Sequence, residues 1–144
     1  MTSQLNVDTI VDKAGSGGTN VKVSNTSTYV SDGGAVTQNT VQSLGKAWAL
    51  LDGTGDIALQ DSFNIASVSD ESTGDYIFTV TNAFSSANFS CTANGRQSES
   101  PAWTAMTSSV GATAATTVRI TSRNTSNTAT DQKQLHTQFM GDLA

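Results

Sequence analysis

Apolar and polar residues alternate with a period of two along much of the chain, the pattern of a half-buried strand. Tyr76, Phe78 and Val80 fall on one face of Tyr76-Ile77-Phe78-Thr79-Val80, and Ile77 and Thr79 on the other. Val118 and Ile120 share a face of Thr116–Thr121, as do Leu135, Thr137 and Phe139 of Gln132–Met140. Trp48, Leu50 and Leu51 open another strand, Asp52-Gly53-Thr54-Gly55 turns it, and Ile57-Ala58-Leu59 returns. Asp61–Ile65 runs into the polar stretch Ser69–Asp75 and then into the Tyr76 strand, which predicts a hairpin with a loop longer than two residues. Phe89 and Cys91 mark a strand over Asn88–Thr92, and Pro101–Met106 reads as an edge strand with its proline at the start. Val110–Thr113 is a weak strand, while Asn82–Ala87, Asn94–Ser100 and Arg123–Thr130 read as connections. Seven or eight short strands separated by turn residues predict a β-sandwich or open barrel.

The first third of the chain differs. Leu5, Val7 and Ile10 form a short β-capable stripe that stops at Gly15-Ser16-Gly17-Gly18. One strand cannot bury itself, so this one needs a partner from outside the segment. Val21–Val23 and Thr28–Val30 are further short β-like pieces. Ala35–Leu44 is the one helix candidate, with Val36, Val41 and Leu44 roughly on one stripe. Its Thr and Asn residues are poor helix formers. Three copies of that stripe, continued by Trp48, would bury one another on a symmetry axis.

Composition agrees with exposed sheet. Ser, Thr and Asn make up about a third of the 144 residues, and charged residues only 13%. Such a chain is poor in the residues of solvent-facing helices and rich in those of strands and turns. The net charge is −5, and the seven Lys and Arg do not cluster. That argues against a nucleic-acid surface, which replaces counterions with a basic patch. No run is long and apolar enough for a membrane span, and the N-terminus lacks the marks of a signal peptide. One cysteine allows no internal disulfide.

Motifs for chemistry are sparse. Cys91 and His136 would make a nucleophile pair only if the fold brought them together. No G-x-S-x-G elbow is present. Asp52–Ile57 resembles half of a calcium-repeat unit, but such sites need stacked copies. Asp70, Glu71 and Asp75 share an acidic stretch without EF-hand spacing. No catalytic residue, metal ligand or cofactor is assigned. Trp103, in the more polar second half, is the candidate for contact with a receptor or a neighbouring protein.

The pattern K-A-W…G-T-G…D-S-F-N-I-x-S-V-x-D…T-G-D-Y, from Lys46 to Tyr76, resembles the C-terminal domain of short bacteriophage fibre and appendage proteins. Thr117–Ile120, an Asn-rich loop and a last strand running into Gly141-Asp142 extend the likeness. Leu5-x-Val7-Asp8-Thr9-Ile10 resembles their lead-in strand, and Asn94–Ala115 departs from the pattern. The resemblance implies a non-enzymatic virion structural protein made in the host cytoplasm. It implies an anchoring and oligomerisation segment over 1–45, then an antiparallel β-sandwich domain over 46–144, assembled as a homotrimer. Leu5, Val7 and Ile10 would anchor it to other virion proteins of the tail, neck, baseplate or capsid. Val36, Val41, Leu44 and Trp48 would form the subunit interface, and a host surface glycan is an expected contact. A capsid decoration protein and a carbohydrate-binding β-sandwich module are the alternatives.

Overall fold

The computed structural model describes residues 27–30, 34, 37–41, 43–96, 107–112 and 114–144. The chain divides into two units, 1–41 and 42–144. Among the described residues every regular element is a strand, and every strand pairing is antiparallel. The anchoring stripe Leu5, Val7 and Ile10, together with Val36 and Trp103, lies outside them.

In the first unit β1 (Thr28–Val30) pairs with β2 (Thr37–Asn39) in register Tyr29↔Gln38. The helix expected over Ala35–Leu44 is therefore replaced by a strand at its centre. The physical reason lies in the Thr and Asn residues, which give up helix readily for local hydrogen bonds. Thr40 N–H donates to the Ser27 carbonyl at 3.0 Å, and the Asn39 side chain accepts from Val41 N–H at 2.9 Å, closing a turn.

Among the described residues the second unit holds eight strands in two four-stranded sheets. One is ordered β4-β3-β10-β7, from β3 (Gly45–Asp52), β4 (Ala58–Phe63), β7 (Ser90–Arg96) and β10 (Gln134–Met140). The other is ordered β5-β6-β9-β8, from β5 (Ile65–Ser72), β6 (Asp75–Val80), β8 (Thr107–Ala112) and β9 (Thr117–Arg123). Both sheets feed one hydrophobic core. β3 contributes Ala47, Ala49 and Leu51, and β10 contributes Leu135 and Phe139; β6 and β9 answer with Tyr76, Phe78, Val80, Val118 and Ile120. Phe78 and Phe139 meet across the sheets with ring centroids 6.2 Å apart. Two antiparallel sheets closing on one core is an arrangement compatible with a β-sandwich.

The alternation expected of Tyr76–Val80, Val118–Ile120 and Leu135–Phe139 is present in full: each inward residue is buried. The hairpin into Tyr76 is also present, but its loop is shorter than expected. β5 continues through Asp70, Glu71 and Ser72, and only Thr73-Gly74 remain as the turn, with Ser72 opposite Asp75. Polar residues there are the exposed side of an edge strand rather than a loop. Gly74 has φ +69°, and a β-carbon on it would come within 2.6 Å of the Ser122 carbonyl, so no larger residue fits this turn without movement. Likewise β7 runs on to Arg96, through residues expected to be loop, because β10 pairs with it along its whole length.

Candidate functional site

β3 is one of the two inner strands of its sheet, and its period of two sends Ala47, Ala49 and Leu51 inward. Trp48 and Leu50 therefore face out. Trp48 is 40% exposed, so it belongs to the sheet's outer surface and not to the core. Register then fixes its neighbours. Trp48 pairs with Phe63 of β4 on one side and Gln138 of β10 on the other, and Gln138 pairs with Thr92 of β7. A second row runs beside the first: Asp61, Leu50, His136 and Asn94. Trp48, Thr92, Asn94, His136 and Gln138, with Ala93 and Thr137, line a shallow, open depression of about 400 Å³. Phe63, 55% exposed, extends the aromatic side beyond Trp48.

The rows place a tryptophan ring beside two carboxamides, a hydroxyl and an imidazole. They place no Lys or Arg there, and the single carboxylate in register is Asp61 at the far edge. Such a surface offers a flat apolar face beside hydrogen-bonding side chains. Cys91 lies on β7 in register with inward Phe139, packed against the core, whereas His136 is exposed on the outer face. The two cannot form a nucleophile pair. Burial pushes the Cys91 thiol up to about 12, so it stays protonated at neutral pH.

Of the acidic groups singled out in the sequence, Asp52 and Asp75 are tied into the fold, while Asp70 and Glu71 stand exposed on β5. Asp52 accepts from Lys133 Nζ at 2.5 Å and from the backbone and side chain of Thr54 at 3.0 and 2.7 Å. Those bonds, Lys133 first, lower its carboxyl from 3.8 to about 2. Asp75 is paired with Arg119, whose Nε donates to it at 2.8 Å, and this holds its carboxyl below the usual range. Asp131 accepts from Gly74 N–H at 2.6 Å and from the Tyr76 hydroxyl at 3.0 Å, pinning the β5–β6 turn. Burial, with Asp131 beside it, raises the Tyr76 phenol well above its ordinary value. Among the described residues no group of three or more His, Cys, Asp or Glu is placed to hold a metal ion. Nor does any described helix have the length and apolarity to cross a membrane.

Of the expected interface residues, Val41 is half-buried and Leu44 is 59% exposed. Phe63, Gln138, Thr92 and Asn94 were not singled out by sequence. Their common face follows only from pairing register, which links residues up to about ninety positions apart. No family model, curated protein or solved structure matches the chain.

Proposed function

We propose that this is a non-enzymatic virion structural protein of a bacteriophage: a short trimeric fibre or appendage, attached through its N-terminal strand. The observation that carries the reading is the state of the first unit. Among the described residues β1 and β2 form a two-stranded sheet, and every residue of β1 is exposed, with Tyr29 at 60% and Val30 at 50%. A lone two-stranded sheet is marginal in water, and exposed apolar side chains on it call for a covering surface. Leu44, at the entry to the second unit, adds another uncovered apolar side chain. Copies of the same segment, related by a closed symmetry axis, supply that cover to one another. The resemblance supports the phage assignment, since its distinctive residues are ones that build the fold. Asn64 makes the corner between β4 and β5, Thr73-Gly74 the reversal between β5 and β6, Asp75 makes an ion pair, and Tyr76 is in the core.

The test is made on the full chain. Sedimentation at micromolar concentration is expected to give a trimer, and Tyr29→Ser with Val30→Ser to dissociate it while the second unit keeps its β-sheet spectrum. A monomer from the unaltered chain would overturn the trimer. Removal of residues 1–14 is expected to leave the trimer and to abolish incorporation into particles; normal occupancy of the shortened chain would place the attachment elsewhere.

A further inference from the structure

The outer face of β4-β3-β10-β7 carries a further feature of the second unit. Trp48 and Phe63 stand side by side across β3 and β4, and the depression beside Trp48 is edged by Thr92, Asn94, His136 and Gln138. Four neighbouring strands span roughly 14 Å at the usual interstrand spacing, the length of a short oligosaccharide. We propose that this face binds a neutral saccharide, with its ring stacked on Trp48 and its hydroxyls bonded by Asn94 and Gln138.

Each part of the surface matches a part of that ligand. One face of a pyranose is lined by C–H groups, which suit the negatively charged face of an indole ring. Its edge carries adjacent hydroxyls, each both donor and acceptor. A carboxamide presents both functions in one plane, so Asn94 and Gln138 meet such pairs better than a charged group would. Thr92 and His136 each add further polar capacity. An acidic sugar is disfavoured, because the residues bordering the depression include no Lys or Arg, the neighbouring Arg96 is already engaged by Gln134 at 2.7 Å, Asp61 sits at the edge, and the chain carries −5. The sheet's exposed apolar side chains, Trp48, Leu59 and Phe63, with half-buried Leu50, lie on β3 and β4, while β10 and β7 present His136, Gln138, Thr92 and Asn94, a one-sided split unlike the apolar centre and polar rim of an ordinary protein interface. The site belongs to the second unit alone, so a domain with this face binds sugar whether or not it is part of a particle.

The test uses the full chain carrying Trp103→Phe, so that fluorescence reports Trp48. Cellohexaose, laminarihexaose and mannohexaose serve as probes, with a polygalacturonate hexamer as the acidic control. At least one neutral probe is expected to shift the emission saturably, and the acidic control is not. Trp48→Ala, followed by calorimetry, is expected to weaken binding by about tenfold or more. Gln138→Ala, which leaves the ring in place, is expected to weaken it about three- to tenfold. Both side chains point outward, so melting temperature should be unchanged in each. No saturation with any neutral probe overturns the proposal, as does unchanged affinity in Trp48→Ala. Dissociation of the oligomer by Trp48→Ala also overturns it, because the face would then be covered by a second copy.

Discussion

Phe78 shows how much one side chain decides. It is fully buried, it sits on β6, and its ring meets Phe139 of the opposite sheet. Phe78→Ala removes a contact that holds the sheets together and leaves a cavity between them. The expected cost is about 3–5 kcal/mol, read as a lower denaturation midpoint with an unchanged slope. Asp52 decides behaviour in acid. Its folded carboxyl lies near 2 against an ordinary 3.8, so the folded state binds its proton less readily than the unfolded chain. The stability this contributes is fully present above the unfolded value and is lost as pH falls through the folded one. Asp75, lowered by Arg119, acts in the same direction. Melting temperature is therefore expected to fall between about pH 4 and pH 2. Asp52→Asn should be less stable near neutrality and should show a shallower decline over that window; an identical slope would remove Asp52 from the cause.

At the scale of elements, the corner between β4 and β5 carries the chain from one sheet to the other. Asn64 makes it, with φ 58°. Its amide nitrogen donates to the carbonyls of Lys46 at 3.0 Å and Asn82 at 3.2 Å, and its oxygen accepts from Asn82 N–H at 2.7 Å. Two requirements meet in one residue: tolerance of a left-handed backbone and a side chain that bridges two other segments. Asn64→Gly keeps the first and loses the second, at about 1–3 kcal/mol. Asn64→Ala loses both, and by thermal melting should be the less stable of the two. Equal stability would mean that the backbone conformation costs alanine nothing here. Asn64 sits within the S-F-N-I pattern, yet spacing alone could not distinguish it from any other polar turn residue. The same limit explains the turn before Asp75. Ser69–Ser72 are polar and look like loop, but an edge strand with one solvent-facing side uses such residues too.

For the whole molecule, the two units have opposite demands. The second closes a core from residues of both its sheets, including the aromatic cluster of Phe84, Phe89 and Phe139. The first leaves Tyr29 and Val30 in water. The proposed trimer covers the exposed side chains of the first unit, while the second unit's core is closed within each copy. A fragment of residues 42–144 is accordingly expected to fold with cooperative melting and to sediment as a monomer. A fragment that fails to fold would show that the core depends on residues before Gln42, and one that remains trimeric would move the interface into the second unit.

Sequence alone determined which side chains point inward on β6, β9 and β10, because alternation is local and Tyr76, Phe78, Val118, Ile120, Leu135 and Phe139 have apolar character that water rejects at any register. It also determined that the chain would be mainly antiparallel β. Strand ends were less legible: β7 reaches Arg96 only because β10 offers it hydrogen bonds, and Thr37–Asn39 is a strand only because β1 lies beside it. The candidate site was the least legible of all. Trp48 reads as a core or subunit-interface residue beside Leu50 and Leu51 until pairing shows which face it takes. Its companions Phe63, Thr92 and Gln138 are set by hydrogen-bond register between strands distant in sequence, a quantity that no local pattern encodes.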